Sequence, residues 1–183
     1  KRMSARIDIC NVALVSMLGA NSINSLDDDS DEARAMKFCY YIARDAVLED
    51  ANWTFATRRF QPAENADPPE FGWTYSYTIP SDIMRVTNVL REAFTVGFFY
   101  DTRMPEEYKS AHVIEGNEIL SNDNPIYCLG IRTMEDEGNY SPLFEEAFAG
   151  KLASLTALTL TASNNKRDFA LGLYLDTIKK AKT

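Results

Sequence analysis

Phe144, Phe148, Leu152, Leu155, Leu158 and Ala162 recur at steps of three and four, so this stretch can bury one apolar face only as a helix. Ser141 supplies an N-cap hydroxyl and Pro142 suits the first helical position, so the start of that helix is written locally. The same period marks residues 4–18 through Ile7, Cys10, Leu14, Met17 and Leu18, with Gly19 placed to end the helix in the left-handed conformation. A second helix follows from Ala33, Met36, Tyr40, Ala43 and Val47. A fourth, over roughly 167–180, carries Ala170, Leu171, Tyr174, Leu175 and Ile178 and ends in Lys179-Lys180, with Asn164-Asn165 breaking it from the third. Between the second and third helices the period changes to two. Residues 73–79 place Trp73, Tyr75, Tyr77 and Ile79 on one face and Thr74, Ser76 and Thr78 on the other, as a half-buried strand does. Residues 83–90, 94–100 and 125–133 read as further strands, and 112–120 as a hairpin turning at Gly116-Asn117. The expected fold is α+β: a bundle of about four helices with an antiparallel β insertion between helix 2 and helix 3. Residues 1–56 and 141–183 would form the helical domain and 57–140 the β-rich insertion.

A chain of 183 residues that is 45% apolar can build a core. Its net charge of −8 argues against a dedicated duplex-DNA binder, which needs a basic face to displace counterions. The charge is uneven. Residues 1–6 hold three bases and no acid, and residues 166–183 five bases against two acids. Basic ends on an acidic body suit either docking to an acidic partner or simple helix-end and solubility dressing. Cys10, Cys39 and Cys128 are too few and too irregularly spaced for a zinc site or a disulfide framework, so Cys10 and Cys39 read as small buried thiols. No apolar run approaches a membrane span, and no signal-like segment opens the chain. A soluble protein of a reducing compartment is expected. Lys1-Arg2 precede Met3, which reads as the natural start.

Five acids, Asp27, Asp28, Asp29, Asp31 and Glu32, crowd the entry to helix 2. Asp29 with Glu32 has the spacing of an N-cap and its return partner, and the rest place negative charge at the positive helix end. Asp27, Asp29 and Asp31 also have the spacing of the first calcium-loop ligands. Glu32 stands where the loop needs Gly and Phe38 where it needs a bidentate Glu, so the cap-and-acidic-loop reading is preferred and no metal is expected.

Catalytic material is sparse. His112 is the single histidine, and nucleotide-binding and nucleophile-elbow motifs are missing. Asp101 with Glu106 could serve as an acid–base pair, but any acidic chain offers such pairs. Arg58-Arg59, beside Trp53 and Phe60, could stack on nucleotides, but strand-edge and partner contacts are the preferred reading. The residues themselves point to an α+β domain without catalysis and without cofactors.

Several stretches together resemble a known family. Residues 7–59, with Asn11, Ala13, Leu14, Leu18 and Gly19, then Ser25 to Asp28, then Trp53, Phe55 and Ala56, resemble the N-terminal region of podovirus tail tubular protein A. Residues 77–86 resemble its strand–Pro–x-Asp–x-x-Arg-Val element and 141–157 its long third helix, while 93–133 match least. The resemblance implies a non-catalytic virion protein, found in the virion tail and in the host cytoplasm during assembly. Such adaptors form a ring with copies of themselves, a dodecamer in the virion. The ring joins the portal protein to the tail nozzle protein and lines part of the channel through which DNA leaves, with no membrane involved. An acidic body suits a passage that repels phosphate. Tyr174, Ile178, Lys179 and Lys180 are then candidates for portal docking. Asp27, Asp28, Asp29, Asp31 and Glu32 are candidates for a channel-side or capping loop. The competing readings are a small carboxylate-based hydrolase or nucleotide-processing enzyme, and an acidic DNA mimic. The mimic is disfavoured because its acids should spread over a surface rather than cluster.

Overall fold

The computed structural model describes residues 5–93 and 106–182; the strand expected at 94–100 lies outside them. The fold is α+β, four helices with a β insertion between the second and third. Two compact units result: residues 1–55 with 134–183, and residues 56–133. Residues 134–140, assigned to the β insertion from sequence, belong with the helices.

The helical unit contains α1 (Ala5–Asn11), α2 (Asp31–Asp50), α3 (Pro142–Thr161) and α4 (Asn164–Ala181). The first apolar stripe was expected to be one α-helix. Its second half, Val12–Leu18, is instead a π-helix. The wider turn explains which residues are buried: Ile9, Cys10, Ala13, Leu14 and Leu18 are inside, whereas Ile7 and Met17 are only half-buried. Gly19 closes it with φ +60°, its N–H donating to Leu14 O, as the sequence predicts. Lys166 donates its ammonium to Leu18 O, placing a cation at the negative end of this helix.

α3 begins as expected, with Ser141 Oγ accepting from Phe144 N at 3.3 Å and Pro142 in the first turn. It does not end at Asn164-Asn165. Ala162 takes a left-handed φ of 49° and Ser163 caps α4, accepting from Lys166 N, so both asparagines lie inside α4. Leu155 and Leu158, expected in the core, are exposed. α3 packs against α2 on one side and α4 on the other. Gly150 permits the second contact: a Cβ there would lie 3.3 Å from the Tyr174 backbone. The core between α2 and α3 is aromatic. Trp53, Phe55, Tyr140 and Phe148 surround Phe144, and Tyr40 stacks on Phe148 with centroids 4.8 Å apart.

Among the described residues the β unit holds two three-stranded antiparallel sheets. The first has the order β1 (Thr57–Phe60), β6 (Tyr127–Arg132), β3 (Ile83–Leu90). The second has β2 (Tyr75–Thr78), β5 (Glu118–Ser121), β4 (His112–Glu115). The hairpin turns at Gly116-Asn117 as expected. Tyr77, Val89, Ile119, Ile126 and Cys128 form the core of this unit, and Phe60 and Val86 pack on it. The polar face of β2 is not fully solvated: Ser76 is buried and its hydroxyl accepts from the Asn65 amide at 2.9 Å.

Candidate functional site

The acidic stretch is held by its own neighbourhood. Ser30, not Asp29, is the N-cap of α2: its backbone is extended and its hydroxyl accepts from Ala33 N at 3.1 Å. Asp29 and Asp31 instead clamp Arg34, at 2.8 and 2.7 Å. Asp27 pairs with Lys37 at 2.7 Å. Asp28 accepts from the backbone N–H of Asn24 and Ser25, folding the loop back on itself. Glu32, expected to reach back to the cap, accepts from the Asn21 amide at 2.9 Å. Sequence spacing missed the true cap by one residue because an acidic run offers several acceptors, and only backbone direction selects among them.

The Lys37 ammonium holds the Asp27 carboxyl below its usual range, and the N–H of Glu32 itself with the Asn21 amide does the same for Glu32. Both folded-state values are depressed, so their contribution is present at neutral pH and fades as pH falls through the carboxylate range. Exposure keeps it small. Among the described residues no group of three or more His, Cys, Asp and Glu is arranged to hold a metal. Ser30→Ala should lower unfolding free energy by ~1 kcal/mol, while Asp29→Ala, whose ion pair lies in open solvent, should shift the melting temperature far less. Calcium should leave the melt unchanged. A larger loss for Asp29→Ala, or a calcium-dependent rise, would contradict this geometry.

The residues that carry the family resemblance occupy joints of the fold. Asn11 makes two bonds to the loop before α2, Nδ2 to Ile23 O at 2.9 Å and Oδ1 from Ile23 N at 2.8 Å. Trp53 is buried and donates its indole N–H to Val47 O at 2.7 Å, so it is not free to stack on a nucleotide beside Arg58-Arg59. Arg58 is tied to Asp82, and β1 is an edge strand. The strand-edge reading of Arg58-Arg59 agrees with this strand, although Thr57–Phe60 has little apolar alternation to mark its bounds.

Of the docking candidates, Tyr174 and Ile178 are buried at 2% and 6% exposure against their own unit, so they do not offer a docking surface. Tyr174 donates its hydroxyl to Asp50, and Lys151 lies 4.9 Å over its ring. Lys179 and Lys180 are exposed. The apolar stripe of α4 is wider than the contact it makes: Leu171 and Leu175 at its edge are exposed, while Ala170, Tyr174 and Ile178 are buried.

The enzyme candidates meet in part. Glu106 and His112 line one open hollow of about 570 Å³ in the β unit; Asp101 lies outside the described residues. Glu106 pairs with Lys109 at 2.6 Å, and His112 donates Nδ1–H to Ser110 O at 2.8 Å. The nearby Ser110 and Ser121 hydroxyls bond each other at 2.7 Å. The burial of Cys10 and Cys128 pushes both thiols up to about 12, which removes nucleophilic thiolate at neutral pH. Cys39 is half-buried rather than buried. No helix among the described residues is long and apolar enough to cross a membrane. Comparison with known protein families and with curated proteins finds no match for the chain.

Proposed function

We propose that this chain is a structural virion protein, a head-to-tail adaptor of a short-tailed phage. Copies would form a ring between portal and tail nozzle, with DNA passing through the lumen. The observation that carries this reading is that the motif residues shared with tail tubular protein A serve as joints. Asn11 pins the loop, Gly19 ends the first helix, and Trp53 and Phe55 seat the aromatic core at the exit of α2. Such residues hold a rigid scaffold together, as an adaptor subunit requires. The acidic loop fits a DNA passage, because five acids against Arg34 and Lys37 leave it net negative even when paired.

The test is reconstitution. Purified chain mixed with the portal ring of its parent particle should co-sediment, and electron cryomicroscopy of that particle should place it between portal and nozzle. A protein that ignores the portal would end this reading. The carboxylate-enzyme alternative draws on the hollow shared by Glu106 and His112. The same sample, tested on nucleotides, phosphodiesters, glycosides and esters, should match buffer. Turnover abolished by Glu106→Gln or His112→Ala would favour the alternative.

A further inference from the structure

α2 and α4 each turn a line of residues away from α3. On α2, Phe38 is 77% and Ile42 54% exposed, with Tyr41 beside them, and the line continues past Asp45, which is already bonded to Arg44 at 2.7 Å, to the exposed Glu49. On α4, Leu171 and Leu175, the latter 56% exposed, lead toward the exposed Lys182 that caps the helix. On α2 the opposite face, with Met36, Tyr40 and Val47, is buried, and on α4 the adjoining line of Ala170, Tyr174 and Ile178 is buried against the chain's own core. One chain therefore cannot lay its own two lines together. Contiguous exposed apolar groups on a folded chain mark a contact surface.

The two lines match in register. Positions 38, 42 and 49 on α2 have the spacing of 171, 175 and 182 along α4 and its cap. Each runs ~16 Å at the rise of an α-helix. Laid parallel, Phe38 and Ile42 meet Leu171 and Leu175 in the first half, and the Glu49 carboxylate meets the Lys182 ammonium at the end. Pairing α2 with a second α2 would set Glu49 against itself when parallel and against Phe38 when antiparallel, and pairing α4 with α4 would set Lys182 against itself or against Leu171. Charge thus selects the unlike pair.

We infer that the outer face of α2 in one copy docks on the outer face of α4 in a second copy of this chain. Such a contact joins two different surfaces, so it propagates from copy to copy and closes into a ring when the rotation allows. It deepens the adaptor reading by naming the subunit contact and rests on that reading only for ring closure. A contact of two helices is small, so association should be weak in free solution and need high concentration or a template.

Sedimentation of the full chain over rising concentration, up to roughly millimolar, tests it. Wild type, Glu49→Lys, Lys182→Glu and the double reversal are compared, with thermal melts to show that each folds. Wild-type mass should rise with concentration. Each single reversal should demand at least tenfold more protein for the same mass, and the double variant should recover. A wild type that stays monomeric throughout overturns the inference, as does a double variant no better than the singles. Association indifferent to both reversals also overturns it, while leaving a ring built on other surfaces and the adaptor reading intact. Loss of portal binding alone, with self-association unchanged, would assign this face of α4 to the portal instead.

Discussion

Phe144→Ala should lower the unfolding free energy of the helical unit by about 3–5 kcal/mol, the range for deleting a fully buried aromatic ring. Phe144 exposes no surface. Its ring is surrounded by Tyr140 at 4.6 Å, Trp53 at 5.0 Å, Phe55 at 5.1 Å and Phe148 at 5.9 Å between centroids. Two of these meetings are edge-on, a favourable geometry for rings. The neighbours come from the exit of α2, the segment before α3 and α3 itself, so no single element can move in to fill the gap. A typical domain has ~5–15 kcal/mol in total, and this loss would leave the unit near its melting threshold. Denaturant titration followed by helical circular dichroism measures it. Phe144→Leu, which keeps most of the volume, should cost markedly less. A loss below about 1 kcal/mol for the alanine variant would mean that the cluster relaxes around the hole.

The sequence showed its helices wherever an apolar period met a local end signal. Ser141-Pro142 and Gly19 are such signals, and the structure places both where they were expected. It was misleading where local chemistry offered several equivalent choices. The run 27–32 contains many acceptors, and Ser30 takes the cap because its backbone is extended there. The end of α3 is set by Ala162 in a left-handed conformation, which no residue type announces. The π-turns after Asn11 shift burial away from Met17, and a period of 3.6 cannot foresee that. β1 was legible only as a strand edge at Arg58-Arg59, without bounds, because pairing with β6 rather than alternation makes the strand. The hairpin at Gly116-Asn117 was legible because its turn chemistry is specific.

The candidate site was harder to read for a related reason. A stripe of Leu, Tyr and Ile reports that a helix has an apolar face and does not report how much of it is buried. Leu171 and Leu175 were grouped with Tyr174 and Ile178, yet the first pair is exposed and the second buried. The small residue that decides this is on another helix. Gly150 lets α4 approach α3 closely enough to seat Tyr174, and nothing in the sequence of α4 records it.

Deleting residues 176–183 should therefore destabilise the helical unit rather than leave a sound fold without a docking tail. The deletion removes Ile178, buried at 6% exposure, and Thr177, at 1%. Loss of a buried Ile side chain costs about 2–5 kcal/mol. The Thr177 hydroxyl donates to Leu173 O at 2.8 Å, so removing it also loosens the turn that carries Tyr174. Tyr174 would remain as the last anchor, with its bond to Asp50 on a fraying helix end. Point variants separate the two faces that the deletion merges. Ile178→Ala should reproduce most of the loss in a thermal melt. Leu175→Ser and Lys180→Ala, on the exposed side, should stay within about 0.5 kcal/mol of wild type. If the truncated chain melts like the full one, the last two turns of α4 are not part of the core, and the inward placement of Ile178 is wrong. If Leu175→Ser melts as early as Ile178→Ala, the outer line of α4 is already occupied within the chain, and a second copy has no face there to dock on.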